Sequence, residues 1–497
     1  MIYRRSFLIY CFFLGLLALA FPRIGSAQTC AAGSGPTVTV VPGDNVQSMV
    51  TSAGCGATFT FGPGVYTNFS VVPLDYDQFI SSTPKAAILS GATVVSNFIF
   101  NKTINLWVGH IQITPVTSPK GQCYPGVIGC IHPEDLFFNG ALYTRVNTYA
   151  AVVSGSWYLN YTDGNVYLAN NPTGQTVQIS TTRFAIGAGN VTSVVVNGFT
   201  IEYYGSPANN GAVEGIDYYQ VTSIPSYNWL IENNEIRYNH GAGVNLGDQM
   251  TVTGNYLHHN GQLGVGGTGN NVSVTNNEIA FNNAVGYSYA WAGGAKFVQI
   301  TGLSVTNNYS HDNNGPGLWT DIENSNVDIG FNQLSNNRGA GIIHEISYSA
   351  TIHDNTITND GIDTRGTGPW WGGGIIVSNS SSVQVYNNTL TNCQNGVMEQ
   401  SKNRGNGSNG LPYALQDVIV YNNNITQSSG FAAGLVKNYP AGNLIYTGSG
   451  NTFGINSSGI AAPDTYTLSS PAKFVWLLNN APNSQITEQE WNAQGNN

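Results

Sequence analysis

Four glycines, Gly317, Gly341, Gly374 and Gly396, each open a short apolar segment, and aligning the chain on them brings acidic residues together. After Gly317 comes Leu-Trp-Thr-Asp321-Ile, and after Gly341 comes Ile-Ile-His-Glu345-Ile. Gly374 is followed by Ile-Ile-Val-Ser378-Asn, and Gly396 by Val-Met-Glu-Gln400-Ser. Asp321, Glu345, Ser378 and Gln400 therefore share one column, with Thr320, His344, Val377 and Glu399 in the column beside it. On neighbouring parallel strands, Asp321 and Glu345 have Cα atoms about 5 Å apart. Two carboxylates that close cannot both ionise cheaply, so one keeps its proton to higher pH. A protonated carboxyl beside a charged one is what acid-assisted cleavage of a glycosidic bond requires. A short gap between the two suits a retaining reaction and a wider one an inverting reaction. The same pair could instead hold a Ca²⁺ that neutralises a uronate, as a lyase would need. Either use requires outward side chains, and alternation by itself does not settle which column faces out; if Leu318 and Ile322 point in, Asp321 points out.

Around this pair stand further candidates. His344 and Glu399 are expected to support it as catalytic groups. Trp319, Trp370 and Trp371 offer flat faces for pyranose rings, and Lys296, Arg365 and Gln400 offer polar contacts to substrate. In a lyase, Lys296 or Arg365 is the candidate base, and Asp363 lies on the same long loop as Arg365. The competing reading makes the acids surface carboxylates and the tryptophans packing residues. It also makes His344, His311 and Asp312 polar groups satisfied within coil turns, since His-Asp-Asn recurs at His353-Asp354-Asn355 in the same turn position.

A repeat must position these residues. Asn234, Asn255, Asn277, Asn308, Asn332 and Asn355 recur at spacings of 21, 22, 31, 24 and 23 residues, each followed by an apolar residue, another Asn and a Gly-rich turn. A fixed period in this range marks a solenoid. Segments such as VSVTNN, LSVTNN and VQVYNN alternate apolar and polar residues, the period of a strand, and none carries a helical stripe. A coil of this length holds about three short strands, and stacked coils place equivalent Asn side chains one strand spacing apart. The repeat extends back to Asn197 and on through Asn388 to Asn424, with extra loops at 205–228, 287–302, 360–373 and 399–417. Loops added at one corner of stacked coils project from one side and build a binding face.

The NN-x-I/L-x-x-N coils, the segment FGPGVY after an N-terminal cap, and the run DLFFNG…GSWYLNY…VYLANNP resemble the right-handed parallel β-helix proteins of the pectate-lyase-like superfamily. The resemblance covers nearly all of the mature chain. It implies an all-β solenoid and is poor for the reaction, because that fold hosts lyases, glycosidases, esterases, epimerases and phage adhesins. No catalytic signature of the family carries over residue by residue.

The expected organisation is a signal peptide over 1–27, an N-terminal cap and first coils over 28–106, and an inserted antiparallel β module over 107–180. Coils with long loops follow over 181–455, and a C-terminal cap over 456–497. Arg4 and Arg5, the apolar run Phe7 to Ala20 and Gly25-Ser26-Ala27 carry the signal reading, and no later run is long enough to span a bilayer. Asp44 with Gln47, and Thr487 with Glu490, read as capping boxes of helices that close the two ends. Export permits disulfides: Cys30 and Cys55 could pair and Cys123 and Cys130 could close a short loop, a pairing the sequence leaves open, while Cys393 is expected as a buried free thiol. The chain has 16 basic and 26 acidic residues; without Arg4, Arg5 and Arg23 its net charge falls from −10 to −13. No basic patch is present for a phosphate backbone, so nucleic acid is not an expected partner. The expectation is a secreted, monomeric protein acting on an extracellular polysaccharide or oligosaccharide. A glycoside hydrolase without required cofactor comes first, a Ca²⁺-dependent polysaccharide lyase or uronate epimerase second, and a non-catalytic glycan-binding protein third.

Overall fold

Each coil is cut into strands by residues that tolerate the left-handed conformation. Asn233, Asn276, Asn307, Asn336 and Asn359 all have φ between 56° and 57°, a region asparagine enters at low cost because its short side chain bonds locally. The computed structural model describes residues 30–116, 119–187, 190–219, 224–362, 372–438, 452–454, 457–468, 474–476 and 485–493. The expected signal segment, Asp363, Arg365, Trp370 and Trp371 lie outside the described residues.

The strands stack as a three-sided parallel β-helix. One side is formed by Gly211–Glu214, Ala242–Leu246, the start of Leu263–Thr275, the start of Ala295–Thr306, Leu318–Asp321, Ile342–Glu345, Gly373–Ser378 and Asn395–Lys402. A second side runs through Leu230–Glu232, Thr251–Thr253 and Ser325–Gly330 to Gln416–Tyr421. The third runs from Gly64–Thr67 through Glu235–Arg237 and Gln333–Ser335 to Thr465–Leu468. Inward side chains such as Val244, Val265, Leu318, Ile342, Ile375 and Val397 fill one continuous core.

The asparagines line the corner between the second and third sides. Nδ2 of Asn277 donates to Oδ1 of Asn308 at 3.0 Å, and Nδ2 of Asn308 to Oδ1 of Asn332 at 3.0 Å. The ladder continues through Asn355 and Asn388 to Asn423 and ends on Asp464. Asn423 is the member of this ladder; Asn424 opens the next strand, one residue out of step with the sequence reading. At the other end Asn197 also falls in a strand, and Asn234 accepts from the backbone N–H of Phe199. A second ladder, Asn239–Asn260–Asn282–Asn313–Asn337, runs parallel to it and ends on Asp360.

Both ends carry short helices. Val46–Ala53 buries Val46 and Val50, with Met49 packed against the core, and its N-cap is Asn45, whose side chain accepts from Ser48 N at 3.1 Å. Asp44, expected as the cap, instead accepts from Val41 N, a turn contact that leaves the helix start to its neighbour. At the other end Thr487 and Glu490 bond reciprocally and start Glu488–Ala493, which buries Trp491 against Phe453 and Phe474.

A separate sheet of eight strands interrupts the early coils, from Ala92–Val94 to Val177–Ser180, with its own core around Leu136, Trp157, Leu159, Val166 and Leu168. Its pairs are antiparallel except where Ala141–Arg145 meets Ser156–Asn160. Cys30–Cys55 and Cys123–Cys130 are bonded, and Cys393 is a buried free thiol. Among the described residues no helix is long and apolar enough to cross a membrane.

Candidate active site

The first side of the β-helix carries the candidate residues, and its register is set by core packing. Leu318 pairs with Ile342, Ile342 with Ile375 and Ile375 with Val397, all inward. Alternation then turns Trp319 out, Thr320 in and Asp321 out. Asp321 and Glu345 are direct register partners on adjacent coils, followed by Ser378 and Gln400 in the same outward column. Ile322, expected inward, is a left-handed residue with φ 61° that lines a surface cavity; Leu318 alone fixes the direction of Asp321.

The same alternation moves two expected catalytic residues away from the pair. His344 and Glu399 belong to the inward column with Thr320 and Val377, so they point into the core instead of supporting the carboxylates. His344 Nδ1 lies 2.8 Å from Thr320 Oγ1, and complete burial pulls its pKa down to about 3. Burial likewise raises Glu399 well above the ordinary carboxylate range. A neutral imidazole inside the core cannot exchange protons with a substrate outside it.

Around the pair, cations converge. Lys296 Nζ lies 2.8 Å from Asp321 Oδ2, 2.8 Å from the carbonyl of Ala290 and 3.7 Å from the ring centroid of Trp319. The other oxygen of Asp321, Oδ1, is buried without a hydrogen-bond partner among the described residues. Arg404 reaches Glu345 Oε1 at 2.8 Å, and Ser378 Oγ lies 3.5 Å from the same oxygen. Burial, then the negative charge of Asp321, push the Glu345 pKa up to about 7, against the opposing charges of Arg404, Lys402 and Lys296. Trp319 is not an open platform for a sugar, because Lys296 covers its ring and Ile343, Ile376 and Met398 pack with it into an apolar floor. Gln400 is buried in the outward column beyond Ser378.

Asp321 and Lys296 form one end of a cavity of about 450 Å³, whose walls include Tyr218, Trp291, Thr268 and Asn209. Its floor is bare because Gly266 and Gly267 stand where other coils carry side chains. A Cβ on Gly266 would meet the Lys296 carbonyl oxygen at 2.6 Å, and Gly267 has φ 130°. In the other outward column, that of Lys296 and Trp319, and four coils before Trp319, Glu214 sits among Arg183, Asp217 and Asn210, its pKa raised to about 8 chiefly by burial. Glu214, Arg404, Lys402, Tyr218 and Trp291 are not legible as site residues in the sequence, because they lie in or beside the long loops, whose paths no periodicity reveals. Among the described residues no group of three or more His, Cys, Asp or Glu is placed to hold a metal ion.

Residues 215–390 match the family of right-handed β-helix regions. The solved structure of XylC with xylose superposes over 89% of this chain and 88% of that one, with a TM-score of 0.64 at 14% identity. The chain folds as a right-handed parallel β-helix. The A-module of the mannuronan C-5 epimerase AlgE4 of Azotobacter vinelandii is a more distant likeness to this β-helix protein. It covers 88% of this chain and 95% of its own, with a TM-score of 0.44 at 13% identity. Comparison with curated protein sequences finds no match. At these identities the likeness concerns the fold, so the reaction has to be argued from the site.

Proposed function

We propose that this β-helix protein is a glycoside hydrolase acting on an extracellular polysaccharide or oligosaccharide, with Glu345 as proton donor and Asp321 as nucleophile. The observation that carries the reading is the outward Asp321–Glu345 register pair, with its two members in different electrostatic settings. Glu345 holds a proton up to about pH 7, as a general acid must, while Asp321 is ion-paired to Lys296 and keeps Oδ1 unbonded. In the proposed reaction Glu345 protonates the glycosidic oxygen as Asp321 Oδ1 bonds to the anomeric carbon, and the alcohol leaves. Water, deprotonated by Glu345, then displaces Asp321 and releases the sugar. Adjacent strands about 4.8 Å apart favour the close carboxyl spacing of retaining enzymes over the wider gap that admits a water. Arg404 covers Glu345, so proton donation to a sugar in the cavity requires the guanidinium to swing aside. The two disulfides fit an oxidising compartment.

The test is a panel of glycans, xylosides included because XylC is described with xylose, read for reducing ends, unsaturated uronate and anomeric configuration. The expected outcome is hydrolysis with retention, lowered roughly 10²–10⁴-fold by Asp321→Asn and by Glu345→Gln. Full activity in both variants would sink the assignment. Unsaturated product abolished by a chelator would establish the lyase instead, uronate inversion without cleavage the epimerase, and binding without turnover the non-catalytic protein.

A further inference from the structure

The inserted module carries a row of aromatic rings on the face turned away from its own core. Trp157, Leu159, Val166 and Leu168 fill that core, so alternation along Ser156–Asn160 and Asn165–Leu168 sends Tyr158, Asn160 and Tyr167 to the opposite face. Tyr158 and Tyr167 are cross-strand partners with ring centroids 5.7 Å apart and planes 31° apart. Tyr149, from the turn Tyr149–Ala151 and 47% exposed, extends the row, its centroid 5.6 Å from that of Tyr167 with planes 30° apart. The row leads to a cavity of about 630 Å³ lined by Tyr158, Asn160, Tyr161, Asn147 and His132. That volume is within the range of small-ligand sites, roughly 300–1,000 Å³.

The opposite wall of this cavity is held before any ligand arrives. It is the segment around the Cys123–Cys130 disulfide, anchored to the β-helix by Tyr124 N donating to the Gly286 carbonyl and Ser288 N to the Gln122 carbonyl. A preformed wall spares a ligand the cost of ordering it. The cavity also carries no net charge. Arg145 is paired with Glu134 at 3.3 Å and lies over the rings of Trp157 and Tyr161. Burial lowers the His132 pKa to about 4, so its ring is neutral at physiological pH. Ring faces beside amides and hydroxyls, without charge, match a ligand with apolar faces and many hydroxyls.

We propose that the inserted module is a second binding site, for a neutral saccharide chain that lies on Tyr149, Tyr167 and Tyr158 and places one sugar in the cavity. This cavity and the carboxylate cavity share no lining residue, although the segment between them adjoins both: Gly121 and Gln122 line the one, and Lys120 donates to the carbonyl of Tyr218, which lines the other.

Native affinity electrophoresis of the secreted chain through gels holding xylan, hydroxyethylcellulose, galactomannan or polygalacturonate tests this. Expected is retardation by at least one neutral polymer, weakened roughly fivefold in Tyr167→Ala and in Tyr149→Ala at unchanged melting temperature. Tyr149→Ala, on an exposed turn, serves if Tyr167→Ala does not fold. No retardation by the neutral polymers, retardation by polygalacturonate alone, or retardation that neither ring variant weakens overturns the proposal. Retardation without hydrolysis would count against the carboxylate reading alone, and hydrolysis without retardation against this site alone.

Discussion

Glu345 is nearly inaccessible, at 1% exposure, yet three cations act on it, and their balance sets when it gives up its proton. Burial and Asp321 raise its pKa to about 7; Arg404, Lys402 and Lys296 pull the other way by stabilising the carboxylate. A general acid must be protonated, so activity falls as pH rises through that value. Removing a cation destabilises the anion and moves the pKa further up. Arg404→Gln is therefore expected to shift the basic limb of the kcat/KM profile to higher pH by about one unit. A limb that moved down or stayed in place would show that another group is the acid. Lys296, expected to touch substrate, lines the cavity, and its ammonium is held by Asp321, Trp319 and the carbonyl of Ala290, which also makes it a positioning group for Asp321 in this reading.

The Asn ladders hold adjacent coils in register, and with them the Asp321–Glu345 pairing. Asn308 accepts from both the backbone N and the side-chain amide of Asn277, and donates to the Val274 carbonyl and Asn332 Oδ1. Leucine at this place fits the volume and satisfies none of these bonds. Each buried group left unpaired costs about 1–3 kcal/mol, so Asn308→Leu is expected to lose roughly 2–5 kcal/mol. Chemical denaturation followed by tryptophan fluorescence measures this, and an unchanged midpoint would mean that the ladder contributes nothing net. The hydroxyl and imidazole of Thr320 and His344 are a different case, a polar pair enclosed within the coil with the two groups bonded to each other.

Stacked coils touch only their neighbours, so stability spreads along the molecule from coil to coil and an uncovered end weakens first. The helix Glu488–Ala493 covers the last coils by burying Trp491 against Phe453 and Phe474. Trp491→Ala removes that contact, at about 3–5 kcal/mol locally. Hydrogen exchange is expected to quicken in 452–454 and 457–468 and to stay slow in 230–360, where both carboxylates lie. Uniform loss of protection along the whole chain would instead mean that the solenoid unfolds as one unit.

The Asn spacing and the strand period specify a parallel solenoid before any coordinates, because only stacked coils give each amide an identical neighbour to bond. They also place Asp321 beside Glu345, since a Gly-to-acid count within a coil survives any change in loop length. The split between inward and outward columns was half legible. Leu318 marks the core side correctly, while Ile322 misleads because it has already entered the left-handed turn. His344 and Glu399 look catalytic by residue type, and only the packing shows them facing the core. Arg404, Lys402 and the walls of the cavity come from long insertions without periodicity, so their meeting at the pair was decided by tertiary structure. Local repetition determines what stacks on what; side-chain direction and loop paths depend on contacts between residues far apart in the chain.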